Sequence, residues 1–207
     1  MRKLLLTIVV LLLPSLSLQA VASADHQIVV LGDSLSAGYG IDSDFGWVSL
    51  LSQHLQQKNP SITVTNASIS GETTIGGLSR LPDLLARNSP SIIIIELGAN
   101  DGLRGYPLTN LNTNLSRIVE LSQSANAKVL LVGMHIPPNY GRRYTSRFYQ
   151  TFTDVAEKYK TAIIPFLLEG IATQTELMQA DGLHPTAEAQ TLILANVLPE
   201  LEKLLTR

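Results

Sequence analysis

The chain has 207 residues, no cysteine, 45% apolar residues and a formal charge of −2, a balance that suits one domain with a substantial core and no disulfide framework. With no basic run anywhere, nucleic acid is not an expected partner. The four histidines, His26, His54, His135 and His184, show no metal-ligand spacing, so neither a structural nor a catalytic metal is expected.

In chain order, residues 1–24 come first, with Arg2 and Lys3 ahead of an apolar stretch that ends in Ala22-Ser23-Ala24. This is the pattern of a secretory signal peptide with a small-x-small cleavage site. The apolar run from Leu4 to Leu13 is far short of the ~20 residues a bilayer needs, so no stable membrane anchor is expected. Cleavage after Ala24 leaves residues 25–207 as a single exported domain, periplasmic or secreted, expected to act as a monomer.

Five short apolar runs follow: QIVVL (27–31), ITVTN (62–66), SIIIIEL (91–97), KVLLVG (128–133) and TAIIP (161–165). Their near-continuous apolarity predicts strands covered on both faces. Between them lie helical spacings: Trp47, Leu50, Leu51 and Leu55; Leu111, Leu115, Ile118 and Val119; Phe148, Phe152, Val155 and Tyr159. Pro82 suggests the first turn of a helix through Leu84 and Leu85, and a last helix is expected over about 186–205. Five strands with helical crossovers imply a three-layer α/β/α domain with a parallel sheet.

In such sheets ligands bind beyond the carboxyl ends of the strands, near the reversal of strand order. Gly32-Asp33-Ser34, Ser70-Gly71-Glu72 and Gly98-Ala99-Asn100-Asp101 follow strands one, two and three, and would share that rim. Read alone, Gly-Asp-Ser suits a turn and helix N-cap better than it suits a nucleophile. A serine attacks only when a base takes its proton and a third group orients the base. Asp181-Gly182-Leu183-His184-Pro185 offers a carboxylate and an imidazole within one turn, although by itself it reads more readily as Asp181 capping a turn at Gly182 with Pro185 starting a helix; His135, after strand four, is the rival base. Asn100 and the side-chain-free backbone at Gly71 could supply donors to an oxyanion. No Gly-x-Ser-x-Gly elbow is present, which disfavours the usual α/β-hydrolase.

Gly32-Asp33-Ser34-Leu35, Gly71, Gly98-Ala99-Asn100-Asp101 and Asp181-x-x-His184 occur in the order of the four sequence blocks of the SGNH (GDSL) hydrolases, which this chain resembles. The stretches GDSLSAGYG, NASISGET, ELGANDGLRG, PPNYGRRY and DGLHP are similar to the bacterial periplasmic multifunctional thioesterase and lysophospholipase members of that family. The resemblance implies a flavodoxin-like fold and a serine ester and thioester hydrolase that needs no cofactor. Ser34 would be the nucleophile, His184 the base and Asp181 its orienting partner. The backbone N–H groups of Ser34 and Gly71 and the Asn100 amide would form the oxyanion hole. Members act on acyl-CoA thioesters, lysophospholipids, aryl esters and sugar acetates, so a carbohydrate-ester deacetylase is the alternative. Leu103, Tyr106, Ile136, Pro137 and Tyr140, apolar for rim loops, are the expected substrate-binding residues, suited to an acyl chain. Arg104, Arg142, Arg143 and Arg147 could meet a phosphate head group or simply face water.

Overall fold

The computed structural model of the protein describes residues 26–206; the expected leader lies outside them. Five strands, β1 (Gln27–Gly32), β2 (Thr63–Asn66), β3 (Ile92–Glu96), β4 (Lys128–Val132) and β5 (Ala162–Ile164), form one parallel sheet in the order β2-β1-β3-β4-β5. Each sits within a residue or two of its predicted run; β1, β3 and β4 are buried on both faces, as a continuous stretch of Ile, Val and Leu requires, whereas β2 is a sheet edge of Thr63-Val64-Thr65-Asn66 that stays partly exposed, contrary to the expectation for all five. Ile28–Leu31 and Ile92–Ile95 are wholly inaccessible.

Among the described residues, seven α-helices surround the sheet: α1 (Ser34–Ala37), α2 (Trp47–Lys58), α3 (Thr74–Asn88), α4 (Ala99–Leu103), α5 (Leu108–Ser124), α6 (Arg142–Tyr159) and α7 (Gln190–Leu205). α2 packs on α7 on one face, while α3, α5 and α6 pack in series on the other. Two helices depart from the expected boundaries. α3 starts at Thr74 rather than at Pro82, which lies inside it on the exposed side and removes one hydrogen bond without ending the helix. α7 begins at Gln190 rather than near residue 186. The segment ahead of it is held extended: Met178 bridges Pro185, and the Thr186 N–H donates to the Leu177 carbonyl at 2.8 Å.

Strand order reverses between β1 and β3, which pair in register with Gly32 opposite Glu96. The chain leaves β1 at Asp33 and β3 at Leu97, so the first turns after both strands open onto one rim. That is where chemistry is expected in an open parallel sheet.

Candidate active site

Ser34 is the first residue of α1, immediately beyond β1. The helix cap is Asp33, whose Oδ1 accepts the Leu35 N–H at 3.1 Å, and this leaves the Ser34 hydroxyl free to face the rim. That hydroxyl meets His184: Oγ and Nε2 are 2.8 Å apart. On the other side of the ring, Nδ1 is 2.6 Å from Asp181 Oδ2. A nitrogen so close to a carboxylate carries the proton, so Nδ1–H donates to Asp181 and Nε2 is the acceptor for the Ser34 O–H.

The hairpin-like turn before α7 fixes this geometry. Asp181 Oδ1 accepts the backbone N–H groups of Leu183 and His184 at 2.9 and 3.0 Å, which closes the turn and leaves Oδ2 for the imidazole. Gln179 Nε2 donates to the Tyr39 carbonyl at 2.8 Å and to the Pro185 carbonyl at 2.9 Å, tying the turn to the loop after α1. The Tyr39 and His184 rings lie 4.5 Å apart. Burial pushes the Asp181 carboxyl up, but the His184 N–H, the His184 ring and the Leu183 N–H outweigh it and bring it down to about 2. Asp181 is therefore an anion throughout the range in which an imidazole changes charge.

The expected oxyanion donors come from the three segments that follow β1, β2 and β3. The segment after β2 runs along the end of β1, with the Ala67 N–H on the Val30 carbonyl and the Ile69 N–H on the Gly32 carbonyl. This brings up Gly71, whose φ of 78° is a conformation that residues with a side chain rarely adopt. Among the described residues, no carbonyl or side chain accepts from the Gly71 or Ser34 backbone N–H. Asn100, in the first turn of α4, donates one amide hydrogen to Asp33 Oδ2 at 3.0 Å and keeps the other. The position of α4 is set by Asp101, which is buried and accepts from the Thr74 N–H at 2.8 Å and the Thr74 hydroxyl at 2.6 Å. Arg104 adds a bond from Nη2 to the Gly71 carbonyl at 2.9 Å.

A cavity of about 170 Å³ opens beside Ser34 and His184. Leu103, Ile136 and Pro137 line it as expected, together with Leu35, Met134 and Phe166. Tyr106 and Tyr140 stand elsewhere. Tyr106 lines a separate cavity with Ile75 and Asn114, and Tyr140 a third with Arg142, Arg143 and Arg147. Neither lines the Ser34 cavity, and the Tyr140 hydroxyl donates to the Leu103 carbonyl at 2.8 Å. His135 lies at the rim of the Ser34 cavity without reaching Ser34; its ring is stacked on Tyr149 at 4.3 Å and edge-on to Phe166 at 4.6 Å. Burial pushes its pKa down. The contributions of Met134 and Phe166 were legible in principle, since each is the second residue beyond a strand at the carboxyl edge of the sheet.

Residues 30–192 match the GDSL-like Lipase/Acylhydrolase family, a span that includes Ser34, Gly71, Asn100, Asp181 and His184. The chain is a GDSL (SGNH) hydrolase. It is 47% identical over 183 residues to the Esterase TesA of Pseudomonas aeruginosa, covering 88% of this chain and 91% of that protein. It is 39% identical over 183 residues to the thioesterase 1/protease 1/lysophospholipase L1 of Escherichia coli, covering 88% of this chain and 86% of that one. Among solved structures, the crystal structure of TesA superposes with a TM-score of 0.84 at 47% identity, covering 86% of this chain and 99% of that one. The psychrotrophic esterase EstA from Pseudoalteromonas, inhibited by monoethylphosphonate, gives 0.84 at 44% identity over 88% of this chain and 100% of that one. This GDSL hydrolase is accordingly a carboxylic ester hydrolase. Among its described residues, no helix is long and apolar enough to cross a membrane.

Proposed function

We propose that the enzyme cleaves fatty-acyl thioesters, lysophospholipids and aryl or short-to-medium-chain esters through an acyl-enzyme on Ser34. The observation that carries this reading is the unbroken chain of hydrogen bonds from Ser34 Oγ through His184 to Asp181, next to an apolar cavity. Ser34 Oγ attacks the acyl carbon while its proton passes to His184 Nε2, and the imidazolium that forms is held by the Asp181 carboxylate. The carbonyl oxygen gains a negative charge, met by the Ser34 and Gly71 N–H groups and the free Asn100 amide hydrogen. As the tetrahedral intermediate collapses, the carbon–sulfur or carbon–oxygen bond breaks and the leaving group takes the proton from Nε2. Water then repeats the sequence: it gives a proton to His184, attacks the acyl carbon and frees Ser34 together with the carboxylic acid.

The acyl chain lies in the cavity lined by Leu103, Ile136 and Phe166. The names of the relatives support this substrate range, since they include an esterase, an arylesterase and a thioesterase/lysophospholipase. The enzyme works as an exported monomer, released by cleavage after Ala24. A series of p-nitrophenyl esters from acetyl to palmitoyl, assayed beside an acyl-CoA and a lysophospholipid, tests the substrate class. The expected result is a kcat/KM that rises with chain length to a maximum beyond acetyl, with turnover of the thioester. A sharp preference for acetyl and no thioester turnover would instead identify a carbohydrate-ester deacetylase.

A further inference from the structure

Directly behind Ser34 lies a second acidic residue that the proposed chemistry does not use. Glu96 ends β3 after four isoleucines, at a point where the sheet is covered on both faces, and it is 0% exposed; Asp33 beside it is 1% exposed. Among the described residues, no lysine, arginine or histidine forms an ion pair with Glu96. Its Oε2 accepts the Asp33 backbone N–H at 3.1 Å and the Ser36 hydroxyl at 2.6 Å. No N–H or O–H reaches Oε1. Gly32, opposite Glu96 in the sheet, makes this approach feasible, because a β-carbon there would sit 2.7 Å from Oε2.

Two adjacent carboxyls buried this deeply, with no lysine or arginine paired to either among the described residues, are not readily ionised together. The donors show which one holds the proton. Both oxygens of Asp33 accept, Oδ1 from the Leu35 N–H and Oδ2 from the Asn100 amide, as a carboxylate requires. Glu96 accepts only at Oε2, and an Oε1 that receives no donor suits the hydroxyl of a carboxylic acid. Burial raises the Glu96 carboxyl well above its ordinary range, and the neighbouring Asp33 charge raises it further.

We infer that Glu96 is a positioning residue: held as a neutral acid, it donates its O–H to the Asp33 carboxylate, and through Asp33 Oδ2 it fixes the Asn100 amide against the reacting carbonyl. The inference rests on the reading of Asn100 as an oxyanion donor. It accounts for an otherwise costly arrangement, a carboxylate set one residue from the point where a second negative charge develops. The Glu96 proton draws charge from Asp33, so that Asp33 can aim Asn100 while repelling the oxyanion less.

Infrared difference spectra of wild type against Glu96→Gln, together with a kinetic cycle, test this. A buried carboxylic-acid carbonyl stretch, above the carboxylate bands, is expected in wild type at neutral pH and absent from the glutamine variant. Glutamine keeps a donor toward Asp33 and an acceptor for Ser36, so Glu96→Gln should retain kcat to within about threefold, whereas Glu96→Leu should lose more than about tenfold in kcat at unchanged KM. In an Asn100→Ala background, Glu96→Leu should cost little more, because the two act on one interaction. Absence of the acid band from folded wild type overturns the inference even if the leucine variant fails to fold. Losses that multiply in the double variant overturn it as well and leave the Asn100 reading standing. An Asn100→Ala variant with unchanged kcat would instead remove the oxyanion reading on which the inference depends.

Discussion

His184 Nε2 lies 2.8 Å from Ser34 Oγ, a contact between residues 150 positions apart in the sequence. Ser34 is set by the end of β1, and His184 by a turn ahead of α7 that Asp181 and Gln179 hold through their hydrogen bonds. The base is therefore in place before substrate arrives, and the consequences of removing each part can be stated separately.

Asn100→Ala should lower kcat by about 10²–10³ and leave KM nearly unchanged, because the amide is aimed at charge that appears only in the transition state. Steady-state kinetics on one aryl ester decides this. A rise in KM at constant kcat would make Asn100 a ground-state binding residue.

Asp101 carries no proposed chemical step, yet it joins the helix bearing Asn100 to the first turn of α3 through two short bonds to Thr74. Asp101→Ala leaves the Thr74 N–H and hydroxyl without their charged acceptor in a buried site, at a cost of about 2 kcal/mol. Urea unfolding should show that loss, and kcat of the folded fraction should fall because α4 is less firmly held. Unchanged stability would show that water replaces the carboxylate.

The Asp33 carboxyl links stability to pH. Burial raises it, against the Leu35 N–H, the Asn100 amide and the His184 charge, from an ordinary 3.8 to about 6. Between those values the folded protein keeps a proton that the unfolded chain has released, so this contribution falls as pH rises through the window and is constant above it. The difference in unfolding free energy between wild type and Asp33→Asn, measured across the window, should therefore shift against wild type with rising pH. A difference independent of pH, or one of opposite slope, contradicts the assignment.

Leu103→Ala and Ile136→Ala should reduce kcat/KM for octanoyl and longer esters by roughly tenfold, about 1.4 kcal/mol, and change acetyl esters little. Equal losses on both would mean that the two residues only hold the rim loops in place.

Most of this arrangement was legible in the sequence. Strands β1, β3 and β4 stand out because a strand buried on both faces demands near-continuous Ile, Val and Leu, whereas Ser34, His184 and Asp181 were picked out by the resemblance of four sequence blocks to the SGNH hydrolases, since Asp181 and His184 by themselves read as a turn. What stayed hidden was set by contacts between distant residues. The start of α3 is stabilised by Asp101 from α4, a partner that no local pattern around Thr74 reveals, and so Pro82 was the stronger signal. Tyr106 and Tyr140 do not line the Ser34 cavity, because the partner a side chain finds, as the Tyr140 hydroxyl finds the Leu103 carbonyl, is set by tertiary contacts that the sequence does not display. Glu96 was in plain view as the acid at the end of four isoleucines. Its meaning appears only when the register places it beside Asp33.

The central claim, that Ser34 attacks the acyl carbon, is tested most directly by exposing the enzyme to an activated phosphonate ester and locating the covalent label by mass spectrometry. The account predicts one phosphonyl group per chain, on the peptide that carries Ser34, with complete loss of esterase activity. It also predicts no label on a folded Ser34→Ala variant, whose kcat is lower by a factor on the order of 10⁶. A label on any other residue, or a Ser34→Ala enzyme that turns over within about tenfold of wild type, would contradict it.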